Sequence, residues 1–184
     1  MSSRIVVDEI YGKTGNTSAL TIDSGGDVTV SEMSCDQWRM TANFSTTNAT
    51  LTGWERPDDS YSSYINGLSE SSGVFTFSKT GLYMIHCHFM AQNQSGGADG
   101  SMGLELRVST DSGSNYDAAA LSYVGDTDTG NNNGTSFHYL LNVTNASTFR
   151  VLLETKSLSS GSFILGNSTA NITAITFVKL EPAQ

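Results

Sequence analysis

Three histidines are the residues of this chain best suited to chemistry. His86 and His88 stand two positions apart, so on a β-strand both rings leave by one face. His138, carried by another strand-like run, could join them. Such a spacing can serve a metal ion, and a metal on a three-fold axis would need one residue per chain. Histidines hydrogen-bonded in a core or an interface show the same spacing without any ion. That second use is the expectation, with no metal and no cofactor.

Two acidic groups need the same test. Asp126, Asp128, Asn131 and Asn133 fall in the most loop-like stretch, Gly125 to Gly134. A hand-type calcium loop counted from Asp126 would need Gly at its sixth position and Glu at its twelfth. The chain has Asn131 and Phe137 there. The stretch therefore reads as an exposed turn and a candidate recognition loop, with calcium there or at Asp111 to Asp117 left open. Glu55, Asp58 and Asp59 cluster in another loop. A glycosidase needs two carboxylates across a cleft, which clustering does not supply. No nucleophile elbow, phosphate loop or zinc-hydrolase helix occurs, so no enzyme is expected.

The composition limits partners. The 184 residues hold 9 Lys and Arg against 18 Asp and Glu, a net charge of −9. That balance argues against a phosphate-binding surface, so no nucleic acid is expected. An acidic surface of this kind keeps a secreted or virion protein soluble. No apolar run approaches the ~20 residues of a membrane helix, and no membrane insertion is expected. Met1 to Ile10 lacks the apolar core of a signal peptide, so no secretory routing is expected. Cys35 and Cys87 are too few for a disulfide framework and read as two buried thiols. They could pair only on adjacent strands. The Asn-x-Ser/Thr sequons follow from an Asn-, Ser- and Thr-rich composition and imply no glycosylation.

The elements that carry these residues are strands. Charged residues are scarce at 15% and Pro occurs twice, while Gly, Asn, Ser and Thr are abundant, a β-rich pattern. The stretch Ser72 to Met90 reads as two strands around a turn at Ser78 to Gly81. In its second run Tyr83, Ile85, Cys87 and Phe89 share one face, and Met84, His86, His88 and Met90 share the other. Neither face is strongly polar. The strand is expected to be covered on both sides, by a sandwich core and by a neighbouring subunit. Trp38 to Phe44, Leu104 to Ser109, Tyr116 to Val124, Phe137 to Val143, Phe149 to Glu154, Phe163 to Leu165 and Ile172 to Leu180 add further strands. Gln92 to Gly103 reads as a polar connection, and Trp54 as core or interface.

Residues 1–30 differ from the rest. Ile5, Val7 and Ile10, then Leu20 and Ile22, then Val28 and Val30 form three short runs between turns. None can fold alone. They suit an anchoring arm completed by other chains, or a leader packed on its own domain. Residues 31–184 then form the head.

Phe75, Gly81 and Tyr83, with Leu68 seven positions before Phe75, resemble the signature of the complement C-one-q and tumour-necrosis-factor globular heads. The chain departs from it with Ser63, Ile85, Cys87 and Ala174, where the family has Asn or Asp, two aromatics and Gly. The resemblance implies an all-β, antiparallel jelly-roll sandwich and a homotrimer. It places Leu68, Phe75, Gly81, Tyr83, Phe149 and Phe177 in the core. Arg4 to Ile10, Ala19 to Asp23 and the run Trp54-Glu55-Arg56 resemble marine phage fibre and virion-surface proteins. That likeness implies a non-enzymatic virion structural protein, a trimeric knob, short fibre or decoration protein on capsid or tail. Its N-terminal arm would bind other virion proteins, and its head would meet a host receptor or glycan. The alternatives are a soluble, secreted, complement- or cytokine-like trimeric ligand and a jelly-roll carbohydrate-active enzyme. The absence of a collagen-like stalk and a signal peptide weighs against the ligand.

Overall fold

The computed structural model describes residues 9–11, 18–22, 24–26, 28–30, 33–65, 67–94, 98–127 and 130–184. The chain divides into two compact units, Met1–Met33 and Ser34–Gln184.

In the first unit β1 (Glu9–Tyr11), β2 (Ser18–Ile22) and β3 (Val28–Val30) form an antiparallel sheet in chain order. The runs expected to be completed by other chains pair with one another. Ile10 is the register partner of Leu20, and Ile22 that of Val28. Short connections make such local closure cheap in chain entropy. Ile5 and Val7 lie outside the described residues.

The second unit is built of strands only among the described residues. They are β4 (Cys35–Met40), β5 (Trp54–Glu55), β6 (Ser69–Ser71), β7 (Val74–Thr76), β8 (Gly81–Asn93), β9 (Asp99–Ser109), β10 (Asp117–Asp126), β11 (Asn132–Val143), β12 (Arg150–Lys156), β13 (Ser162–Ile164) and β14 (Ala174–Glu181). One sheet has the order β10-β9-β12-β7-β6. The other has the order β11-β8-β14-β4-β5, with β13 paired to the far end of β8. Every pairing is antiparallel. This is the all-β jelly-roll sandwich that the sequence leads one to expect.

Period-two patterning builds the core. Along β8, Tyr83, Ile85, Cys87, Phe89 and Ala91 are buried, and the residues between them are half-buried or exposed. Phe75 sits among Trp38, Trp54 and Phe177, with ring centres 5.8, 5.6 and 5.2 Å away. Leu68, Phe149, Val151, Leu104 and Leu106 close the layer from the other sheet. The Trp54 indole N–H donates to the Leu51 carbonyl, so the ring is buried without an orphaned donor.

The Ser72–Met90 stretch is not a hairpin. β7 pairs with β6 and β12, whereas β8 pairs with β11 and β14. The turn from Phe77 to Thr80 therefore carries the chain from one sheet to the other. Phe77 and Tyr83 explain the crossing. Both rings enter the core with centres 4.8 Å apart, so the end of β7 faces the start of β8 across it. The Tyr83 hydroxyl donates back to the Lys79 carbonyl at 2.9 Å and ties the corner. A Cβ on Gly81 would lie 2.8 Å from the Glu181 carbonyl oxygen, which leaves room only for hydrogen. The true hairpin lies one step earlier. Ser72 and Gly73, both at positive φ, join β6 to β7 through a two-residue loop.

β8 and β9 also extend further than the composition indicates and shorten the connection to 94–98. Cys35 and Cys87 are free thiols, because β14 runs between their strands. Cys35 is half-buried instead of fully enclosed. Burial pushes the Cys87 thiol far above its ordinary range.

Candidate functional site

Pairing across β11, β8, β14 and β4 lays residues in rows on the outer face of their sheet. One row is His138, His86, Thr176 and Gln37; the next is Leu140, Met84, Val178 and Cys35. Met84 is 36% exposed and Leu140 55%, so this face keeps apolar side chains in water. His86, His88 and Met90 on the same face are half-buried. β10 and β11 are the adjacent outer strands of the two sheets, bridged by the Ser122 and Thr135 hydroxyls at 3.3 Å. Tyr123 lies over Gly103, and both Leu121 and Tyr123 on β10 are exposed. The open edge of the sandwich is therefore apolar on both flanks.

The histidines lie as neighbours on one face of the sheet. The His86 and His88 rings lie 6.1 Å apart, and His138 stands opposite His86 in register. His88 Nε2 is engaged with the Asn171 carbonyl at 2.8 Å. Among the described residues no group of three or more His, Cys, Asp or Glu could hold an ion.

The expected recognition loop is shorter than its composition indicates. β10 runs on through Asp126, which is buried and paired in register with Asp99. Asn133 belongs to β11, and only Asn131 of the described candidates is exposed and outside a strand. Asp128 lies outside the described residues. Asp126 thus sits buried in a strand at the end of the sandwich and not in an exposed loop. Beside it, burial would raise the Asp99 carboxyl. Hydrogen bonds from the Ser162 hydroxyl and the Ser159 and Ser101 N–H groups outweigh burial and hold it below its ordinary value.

Glu55, Asp58 and Asp59 have a structural use that clustering in a loop conceals. All three surround Arg39, whose side chain is 1% exposed, at 2.9, 2.5 and 3.6 Å. Arg56 binds Asp36, and its guanidinium is stacked between Trp38 and Tyr64, 4.2 and 4.1 Å from the ring centres. On the outer face of the other sheet, Arg107 and Lys156 bracket Glu154 and Glu105. Burial would raise the Glu154 carboxyl, and the two cations more than offset it.

One concave site comes from parts far apart in the chain. A cleft of about 680 Å³ opens beside β4, between the Asp59–Tyr64 loop and the Thr169–Asn171 turn. Tyr61, Tyr64, Gln37, Ser62 and Asn171 line it. The one signal available beforehand was the pair Tyr61 and Tyr64, two large rings in a loop of Ser and Asp. Asn171 and Gln37 are 134 positions apart, and only the β4–β14 pairing brings them together.

No family model and no curated protein sequence matches the chain. Solved structures do. The Eiger TNF from S. frugiperda is 12% identical, with 83% of this chain and 95% of that one covered, at a TM-score of 0.62. Murine APRIL at pH 8.5 is 10% identical, covers 81% and 100%, and has a TM-score of 0.57. Murine APRIL at pH 8.0 is 11% identical over the same shares, at 0.56. At such identities the likeness is one of fold: the second unit is a tumour-necrosis-factor-like jelly roll.

Proposed function

We propose that the chain is a non-enzymatic, homotrimeric binding head. The observation that carries this is the apolar open edge. Leu121 and Tyr123 flank it on one side, and Leu140 and Met84 on the other. An exposed patch of this kind on a soluble protein marks an interface. The edge of one copy set on the sheet face of the next is a head-to-tail contact, and three copies close it without leaving a free end. Function then resides on the outer loops, as in any fold whose interior only packs. Mass measurement in solution tests this reading. A trimer is expected at micromolar concentration, and a stable monomer overturns it.

Two settings suit such a head. The likeness to Eiger TNF and APRIL favours a soluble, cytokine-like ligand. The wording of Arg4 to Ile10 and of Trp54 to Arg56 favours a phage virion protein. In that setting residues 1–30 bind other virion proteins, and the head decorates the particle or meets a host surface. Electron microscopy of purified particles, with an antibody against the head, separates the two. Labelled particles select the virion; unlabelled particles leave the ligand.

A further inference from the structure

We infer that the cleft beside β4 is a binding site for a neutral oligosaccharide; this deepens the reading of the head as a recognition module and rests on it. A volume of about 680 Å³ falls in the range of small-ligand clefts, ~300–1,000 Å³. Its walls decide the ligand class. Gln37, Ser62, Ser63, Thr169 and Asn171 are uncharged side chains that both donate and accept hydrogen bonds. Sugar hydroxyls need that mixture. Arg56 gives both Nε and Nη2 to Asp36, and Nη2 also meets the Leu68 carbonyl, so its charge is already met by a buried carboxylate. The remaining formal charge on the wall is the Asp59 carboxylate, already 3.6 Å from Arg39. Among the described residues, the one cation of the wall is thus already paired with Asp36, which disfavours a phosphate or a sulfated or sialylated chain.

Tyr61 supplies the other half of sugar recognition. It is 86% exposed, although an aromatic ring of this size loses favourable free energy when left in water. A flat ring on a cleft wall stacks against the C–H face of a pyranose. Tyr64 is held beside it by the Arg56 guanidinium. The site is also built in advance. Ile65 exchanges both main-chain hydrogen bonds with Cys35, which pins the loop to β4. Ser62 N–H closes a turn on the Asp59 carbonyl. On the opposite wall the Asn171 amide donates to Gln37 Oε1, and the Gln37 amide donates to Thr176, each at 2.8 Å. Little ordering remains for a ligand to impose, which favours binding by a small neutral molecule.

The test uses the full chain on immobilised glycans ending in glucose, galactose, mannose or N-acetylglucosamine, with sialylated and sulfated glycans alongside. Binding to at least one neutral glycan is expected. Tyr61→Ala and Asn171→Ala should each weaken it about tenfold or more, at unchanged melting temperature and mass. Tyr61→Phe should retain it, since stacking needs the ring and not the hydroxyl. Binding to no neutral glycan, binding to acidic glycans alone, or affinity unchanged in both alanine variants overturns the site. A trimer that binds no sugar removes the cleft and leaves the proposed head standing. A monomer that binds sugar through Tyr61 does the reverse.

Discussion

The Arg56 guanidinium closes on the Asp36 carboxylate through both Nε and Nη2, at 3.0 and 2.9 Å, with its flat face against Trp38. The Trp38 indole N–H and the Leu68 N–H donate to the same carboxylate. Asp36 is completely enclosed, and Arg56 is only partly open to water. One buried carboxylate thus fixes a strand, a core indole and the chain entering β6.

Removing Asp36 therefore leaves a cation and two N–H donors unmatched. Asp36→Ala should lower unfolding stability by about 3–5 kcal/mol, the usual loss when one partner of a buried ion pair is deleted. Denaturant titration reads it. A change below about 1 kcal/mol would mean that water replaces the carboxylate without cost.

Tyr83 joins the two sheets at the corner and is fully enclosed. Tyr83→Ala should cost roughly 3–5 kcal/mol, as for other large aromatic truncations. Thermal melting checks it, and a variant that melts with the parent would show that the corner does not depend on this ring.

The apolar face can be switched off without touching the core. Leu140→Glu and Met84→Glu place charge on residues already exposed in the single chain. If the parent is the proposed trimer, each should give a folded monomer. Sedimentation and circular dichroism together decide, and a variant that remains trimeric would move the interface elsewhere.

Acid should weaken the head through Asp99 and Glu154. Both carboxyls are held below their ordinary values in the folded chain. Each therefore binds fewer protons folded than unfolded near its titration range. Their contribution is full above the unfolded carboxyl value and fades as pH falls through the folded one. Asp99→Asn should destabilise at pH 7, and less so at an acid pH below the ordinary carboxyl range. An equal loss at both pH values would show that the aspartate acts by shape and not by charge.

How far the sequence could be read follows from the reach of each interaction. β8 was legible because its alternation is local: each residue from Tyr83 to Met90 declares its face by its neighbours. The corner before it was not. Phe75 and Phe77 look like half of a hairpin until Phe177, a hundred positions later, is found packed against both. Arg39 reads as a solvent-facing strand residue, and Glu55, Asp58 and Asp59 as an exposed acidic loop. Folding the loop across the strand buries the cation instead. Asp126 misleads for the opposite reason. Its neighbours have turn composition, but pairing with Asp99 draws the strand past them. The cleft beside β4 depends on such long-range pairing, since Gln37 and Asn171 meet only through β4 and β14.

The junction of β4 and β14 has a consequence for how the molecule is made. The Gln37 amide reaches the Thr176 hydroxyl across 139 positions of chain. Strand β14 lies between β4 and β8, so until it arrives those two strands have an empty place between them. On a ribosome the earlier strands emerge first and wait, with Trp38, Ile85 and Cys87 lacking their final cover. Closure comes only after Ala174 to Glu181 leaves the exit tunnel. Contacts this distant make for slow folding and for a nascent chain that aggregates if synthesis stops short. The last strand of the head is the one that completes it.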